Sequence, residues 1–361
     1  MTVPTSRRPV PRTDIQAMEG YHSPQVDVAV RLNTNESPVG PPAGFSTALA
    51  EAVADLDWNR YPDRGAEDLR RAIGALHGRG PDQVFAANGS NEVLQSLCLA
   101  YGGGGRKVLT FEPTYALHGH IARVVGTEVV TEQRDAAFEL DLAAATHAVA
   151  SHQPAITFLC SPNNPTGIVE SEEVVRGVLD ACAEVGSLLV VDEAYGQFAP
   201  WSALELVDDT QPLVVTRTFS KTWAMAGARL GYMVAPTWVV AEMEKVVLPY
   251  HLDAVTQLAG TLALEHVHEM DVRVASLVEE RGRLVAALGD LPVTLWPSGA
   301  NFVLFRPDAH DGAEVWAELV ERSILVRNCA SWPGLEGCLR VTIGTPDEDD
   351  AFLTALREIL T

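Results

Sequence analysis

Ser187-Leu188-Leu189-Val190-Val191-Asp192-Glu193-Ala194-Tyr195 is the stretch from which the fold is read. Its four consecutive apolar residues form a run too short for a helix and suited to a strand buried on both faces. Two carboxylates follow at once, so the strand ends there. Working outward, similar runs occur at Gln83–Ala87, Lys107–Phe111, Ala155–Cys160, Leu213–Thr218 and Arg229–Ala235. Amphipathic segments at Ser90–Tyr101, Ser171–Val185 and Trp238–Val246 separate several of them. This alternation predicts an α/β domain whose mostly parallel sheet is flanked by helices.

The pattern changes after about residue 254. Ala254–Leu288 reads as a long, charged helical stretch with a break. A strand pair follows (Val293–Trp296 and Asn301–Arg306), then a helix (Gly312–Glu321), two more strands (Ile324–Val326 and Cys338–Ile343) and a last helix. Thr345-Pro346-Asp347-Glu348 suits the start of that helix: Thr as cap, Pro at the first position and Glu three residues on. The composition of elements predicts a second, smaller α+β unit.

Charge excludes several function classes. The chain has 26 Lys+Arg against 48 Asp+Glu, a formal net charge of −22. Such a surface repels nucleic acid and anionic membranes, and an anionic ligand needs a local cluster of Arg and backbone N–H groups. The five cysteines are scattered and form no CxxC pair, which fits reduced thiols in a cytoplasmic enzyme. Arg7, Arg8 and Arg12 lead into no apolar stretch, so no signal peptide is expected, and no apolar run approaches the length of a membrane span.

Four loops fall at predicted strand ends, where open α/β sheets gather their ligands. Asn88-Gly89-Ser90-Asn91-Glu92 starts a helix and offers N–H groups to an anion; an ordinary Ser-capped helix is the plain alternative. Ser161-Pro162-Asn163-Asn164-Pro165-Thr166-Gly167 is either a tight turn or a rigid mount for an amide donor. Asp192 ends a buried strand, which is costly unless it is paired. A protonated pyridine nitrogen would be such a partner, and a salt bridge or a solvated end would serve as well. Thr218-Phe219-Ser220-Lys221, with Arg229 eight residues on, suits a covalently bonding lysine beside a phosphate, or else a surface loop. Together the four roles converge on one cofactor.

The strings SPNNPTG, VVDEAY and TFSKTWAMAGARLGY resemble the signature segments of fold-type I pyridoxal-phosphate enzymes, the aspartate aminotransferase superfamily. LNTNESP (32–38), NRYPD (59–63), NGSNE (88–92), PTY (113–115) and GCLRVTIGT (337–345) are similar to the histidinol-phosphate aminotransferase branch. The resemblance runs from about Tyr21 to the C-terminus. It implies an N-terminal arm (1–44) joining the small domain, a large cofactor-binding domain (45–275) and a small C-terminal domain (276–361).

It also implies roles. Lys221 would carry pyridoxal 5'-phosphate, and Asp192 would pair with its pyridine nitrogen. Tyr195 and Asn164 would bond its phenolic oxygen, and Tyr115 would stack on its ring. Gly89, Ser90, Asn91, Thr218, Ser220 and Arg229 would hold its phosphate, joined by Tyr61 from the neighbouring subunit of a homodimer. Arg340 would bind the anionic end of the substrate, with Arg327, Tyr21 and Asn164 completing the pocket. Many members carry Asp where this chain has Asn91, and Asn can still cap a helix. The substrates implied are histidinol phosphate with 2-oxoglutarate. Aromatic amino-acid transamination, a lyase such as a threonine-phosphate decarboxylase, and a non-catalytic cofactor-binding protein are the alternatives.

The chemistry needs these residue types. A carboxylate beside the pyridine nitrogen keeps it protonated, and burial together with Arg229 would keep Lys221 neutral for part of the cycle. Arg suits both phosphate and carboxylate ends, because its planar fork bonds either group in pairs. Two arginines fit a phosphate better than one. Gly102–Gly105 follows a helix and precedes a strand, so it reads as a terminator and turn. His118/His120 and His266/His268 are spaced i,i+2, share no helix face and predict no metal site.

Overall fold

The computed structural model describes residues 9–20 and 26–361. Among them the chain forms twelve strands: β1 Val30–Leu32, β2 Val84–Asn88, β3 Lys107–Glu112, β4 Glu128–Gln133, β5 Ile156–Cys160, β6 Leu188–Asp192, β7 Leu213–Thr218, β8 Leu230–Val234, β9 Val293–Leu295, β10 Phe302–Pro307, β11 Ile324–Asn328 and β12 Leu339–Thr342. Seven of them make one sheet in the order β2-β8-β7-β6-β5-β3-β4. Strands β5, β6, β7 and β8 are buried along their whole length, as continuous apolar runs on a two-sided sheet require.

The sheet is parallel except at β8, which runs antiparallel to both β2 and β7. The carboxyl ends of β2, β5, β6 and β7 therefore share one edge with the start of β8. All four chemistry-bearing loops and Arg229 meet there.

Two strands were not anticipated. β4 is an edge strand of sequence EVVTEQ, half exposed, and its charged residues hide the apolar signal. β1 has only three residues and pairs in parallel with β11, which carries the arm into the second sheet. That sheet has the order β1-β11-β12-β10-β9. Its core is shared by Phe302, Phe305, Leu339, Val341 and the last helix, which contributes Phe352 and Leu356.

Helix ends follow the capping residues. Ser171, Asp141, Asp253 and Asp311 each accept a backbone N–H of the first turn. Thr345 and Glu348 form the full capping box expected for Pro346–Leu360. The helical stretch after residue 254 does break, into Ala254–Ala263 and Val267–Gly289 with a short 3-10 turn between. Gly102 ends the helix Gly89–Tyr101, and Gly103 (φ 104°) and Gly105 (φ 81°) turn the chain into β3.

Candidate active site

A cavity of about 430 Å³ opens where the carboxyl edge of the large sheet meets the arm and the small sheet. Ser90, Asn91, Tyr115, Asn164, Asp192, Tyr195, Thr218, Ser220, Lys221, Arg229, Arg327 and Arg340, all anticipated, line it. Gly89 lies just behind the wall. Tyr61 does not reach this cavity; it is 79% exposed and stacked on Tyr250 at 4.5 Å. Tyr21 lies outside the described residues.

The anion cup is built by close approach. The helix begins at Gly89, so Ser90 sits inside the first turn and is not its cap. Its N–H and that of Asn91 belong to the turn whose donors have no intrahelical partner. Gly231, paired with Ala87 on β2 and Thr218 on β7, lets this turn pack against β8, because a Cβ there would collide with the backbone of Gly89 and Ser90. A Cβ on Gly89 would press on the Arg229 guanidinium at 2.8 Å. Arg229 Nη1 donates to Ser220 Oγ at 3.4 Å, and Ser220 in turn lies 3.0 Å from the Thr218 hydroxyl. One cation, two hydroxyls and a helix start thus converge at a turn that two glycines let pack closely, which fits a phosphate. Asn91 does not cap the helix: its Oδ1 accepts from the Tyr115 hydroxyl at 3.2 Å.

Asp192 is 1% exposed. Its Oδ1 accepts the Ala194 N–H at 3.0 Å, and its Oδ2 lies 2.9 Å from His118 Nε2. His118 stacks flat on Phe158, 4.7 Å between centroids. The i,i+2 spacing of His118 and His120 spoke only against a metal; that His118 partners Asp192, 74 residues away, was not foreseen. A two-oxygen carboxylate has lone pairs to spare beyond these two bonds, and a protonated ring nitrogen suits them.

The Lys221 amine donates to the Thr34 carbonyl at 2.9 Å and lies 5.8 Å from the Tyr195 ring centroid. It is half-buried in the cavity wall. Burial, then Arg340, then Arg229 pull its pKa down to about 7, with Glu36 opposing them. Arg340 thus outweighs Arg229, the neighbour expected from sequence. Burial pushes the Tyr195 hydroxyl up to about 12, so it stays protonated.

Arg340 and Arg327 stand directly opposite each other across β12 and β11. Like charges in that register repel unless an anion lies between them. Arg340 is 5% exposed; it donates to the Asn164 Oδ1 and, at 2.9 Å, to the Asn33 carbonyl. Among the described residues its Nε is buried without a hydrogen-bond partner, and no carboxylate forms an ion pair with it. Arg327 lies 5.2 Å above the Trp332 ring, and Trp332 Nε1 donates to the Thr114 carbonyl at 2.9 Å. Arg340, a buried cation with no ion-paired carboxylate among the described residues, calls for an anionic ligand.

Sequence reasoning passed over Asn33, Thr34, Asn35, Glu36 and Trp332, which also line the cavity. The first four lie in the LNTNESP string, quoted for its resemblance and given no role.

The family model for aminotransferase class I and II matches residues 27–356. The histidinol-phosphate aminotransferase of Frankia casuarinae is 46% identical over 97% of this chain and 90% of its own length. That of Corynebacterium diphtheriae is 40% identical over 96% of each. Among solved structures, the histidinol-phosphate aminotransferase of Sinorhizobium meliloti in complex with pyridoxal-5'-phosphate superposes with a TM-score of 0.87 at 25% identity, covering 98% of both chains.

Proposed function

The chain belongs to the aminotransferase class I and II family, and we propose that it moves an amino group between L-histidinol phosphate and 2-oxoglutarate, using pyridoxal 5'-phosphate. The observation that carries the substrate is the cross-strand Arg327–Arg340 pair in the lining of the Lys221 cavity. A phosphate monoester brings up to two charges between two cations, while a carboxylate needs one. The name shared by the curated relatives supports the same reading.

When bound, the cofactor supplies a sink for the electrons left behind as the substrate carbon loses its proton. The rest is done by the chain. Ser90, Asn91, Thr218, Ser220 and Arg229 anchor the phosphate, beside Gly89. Asp192 keeps the ring nitrogen protonated, because an adjacent negative charge favours the charged form. His118 holds the Asp192 carboxylate in place. Tyr115 covers the ring. Tyr195 would donate a hydrogen bond from its hydroxyl to the phenolic oxygen. Asn164, whose Oδ1 is taken by Arg340, has its amide N–H groups left for the same oxygen. Lys221 Nζ would hold the cofactor through its aldehyde carbon, and as a free amine it would take the proton from the amine-bearing carbon of the substrate. A pKa near 7 leaves a large share of that amine neutral at working pH.

We further infer a homodimer in the cytoplasm. Trp58, Tyr61 and Leu248 are 71%, 79% and 76% exposed, and Tyr250 stacks on Tyr61, an apolar patch suited to burial against a second copy. Tyr61 would then reach the neighbouring subunit's phosphate cup. All five cysteines are free and buried, which fits a reducing compartment.

The half-reactions test the substrate. Arg327→Ala should lower the rate with histidinol phosphate by tens of fold, since a charge-assisted contact is worth about 1.5–3 kcal/mol, and should spare glutamate. Equal losses in both halves would remove Arg327 as a phosphate reader. Faster turnover of phenylalanine than of histidinol phosphate would move the assignment to aromatic amino acids.

A further inference from the structure

Three consecutive residues of the arm touch three groups of the site. The Asn33 carbonyl accepts from Arg340, the Thr34 carbonyl accepts from Lys221, and Asn35 Nδ2 donates to Tyr195 Oη, each at 2.9 Å. The third contact differs in kind, because it is made by a side chain whose orientation is decided elsewhere.

Asn35 is 1% exposed and adopts a left-handed backbone, φ 55°, which Asn tolerates better than most residues. Its N–H donates to Thr342 Oγ1 at 3.0 Å. The Thr342 hydroxyl donates back to Asn35 Oδ1, also at 3.0 Å. The Asn35 carbonyl accepts from Asn301 Nδ2 at 3.2 Å. Thr342 on β12 and Asn301, just before β10, therefore hold Asn35 at three points. With its Oδ1 occupied by the Thr342 donor, the amide presents Nδ2 to Tyr195. An amide nitrogen only donates, so the Tyr195 oxygen must accept.

We propose that Asn35 is a positioning residue that directs the Tyr195 hydroxyl proton away from the arm and toward the cofactor's phenolic oxygen. The proposal rests on the reading of Tyr195 as the residue that bonds that oxygen. An acceptor at position 35 would capture the same proton and reverse the bond. A donor there does the opposite: it polarises the O–H and strengthens what the hydroxyl gives onward. The connection also spans the molecule, since Asn35 is tied to β12 and Tyr195 follows β6. Arm, small sheet and large sheet must be in register for the hydroxyl to be aimed.

The test reads the bound cofactor's visible absorption against pH. A donor to the phenolic oxygen stabilises the form in which negative charge rests on that oxygen, so it lowers the midpoint of the spectral titration. Tyr195→Phe removes the donor and should raise the midpoint by about one to two pH units. Asn35→Asp should raise it as far, because Tyr195 then donates to the carboxylate. Asn35→Gly suits the left-handed backbone, removes the amide without adding an acceptor, and should give a smaller rise. In the Tyr195→Phe background Asn35→Gly should add nothing. Gly at 35 leaving the midpoint unchanged in the otherwise native protein would overturn the proposal. So would the same shift in both backgrounds, which would show that Asn35 acts without Tyr195. If Tyr195→Phe alone left the midpoint in place, the fault would lie in the reading of Tyr195, and this proposal would fall with it.

Discussion

The two walls of the cavity are built on opposite plans. On the large-sheet side, each functional group sits at the end of its own strand and within a few residues of the turn that aims it: Asp192 as the last residue of β6, Thr218 and Ser220 around the end of β7, Ser90 in the first turn after β2. On the other side, contacts join residues far apart in the chain. Arg340 is bonded to Asn33 across 307 positions and to Asn164 across 176, and Asn35 meets Tyr195 across 160. The first wall is a set of local devices mounted on one rigid sheet. The second exists only when arm, small sheet and large sheet are assembled. The hold on the cofactor's phosphate should accordingly survive damage to the second wall, and substrate contacts should not survive damage to either.

The largest expected effect separates the walls at their meeting point. Lys221→Ala should lower turnover by about four orders of magnitude or more, since it loses both the covalent hold and the base. Cofactor should still bind through the cup formed by Ser90, Thr218, Ser220 and Arg229. Borohydride reduction followed by peptide mapping checks this, and label on another lysine would break the assignment. Arg340→Ala should cost roughly 10²–10³-fold in both half-reactions, from two or more charge-assisted contacts, with cofactor affinity retained. A large loss of cofactor affinity in that variant would erase the distinction between the walls.

Gly231→Ala attacks the first wall from behind. Its Cβ would meet the backbone of Gly89 and Ser90, so the cup must shift, and about 3 kcal/mol of stability should be lost along with cofactor affinity. Gly282 in the helix Val267–Gly289 has nothing near its Cβ position, so Gly282→Ala should stabilise by about 0.5–1 kcal/mol. Denaturant melts of the two variants give the contrast directly.

The pH prediction concerns Lys221. Its pKa of about 7 lies below that of a free lysine, so the amine is mostly neutral above pH 7 and mostly charged below it. Only the neutral form attacks an aldehyde. The rate at which cofactor-free protein captures pyridoxal 5'-phosphate should rise through pH 7 and level off above 8, with a rate at pH 6 about tenfold below the plateau. Stopped-flow absorbance reads it; a midpoint near 10 would mean that burial does not act on this amine. The smallest effect tests assembly. Tyr61→Ala and Lys221→Ala chains, mixed and allowed to exchange, should recover about a quarter of native activity, because half the dimers are mixed and each has one intact site. No recovery would place Tyr61 outside the neighbouring site.

Legibility followed the same division. Lys221, Asp192, Ser220 and Arg229 were readable because each lies in a short string whose residue types have few other reasons to occur together. His118 was not, because a lone histidine on a helix carries no sign of what faces it, and its partner Asp192 comes from a strand two positions away in the sheet. The edge strand β4 was missed because half of it faces water. Its alternation of Glu, Thr and Gln with valines is too weak to stand out from a loop.

What the sequence determined by itself is the local layer: continuous apolar runs that must be buried on both faces, capping residues that start helices, and loops whose chemistry belongs together. Periodicity and hydrogen-bonding capacity are properties of neighbouring residues, so they are written in order along the chain. Only the tertiary structure decided that β8 runs against its neighbours, that Arg327 and Arg340 stand opposite each other, and that Asn35 turns its amide nitrogen toward Tyr195. Those depend on strand register and on which elements share a boundary. Register is set by the packing of whole sheets and helices, and no short stretch of residues contains it.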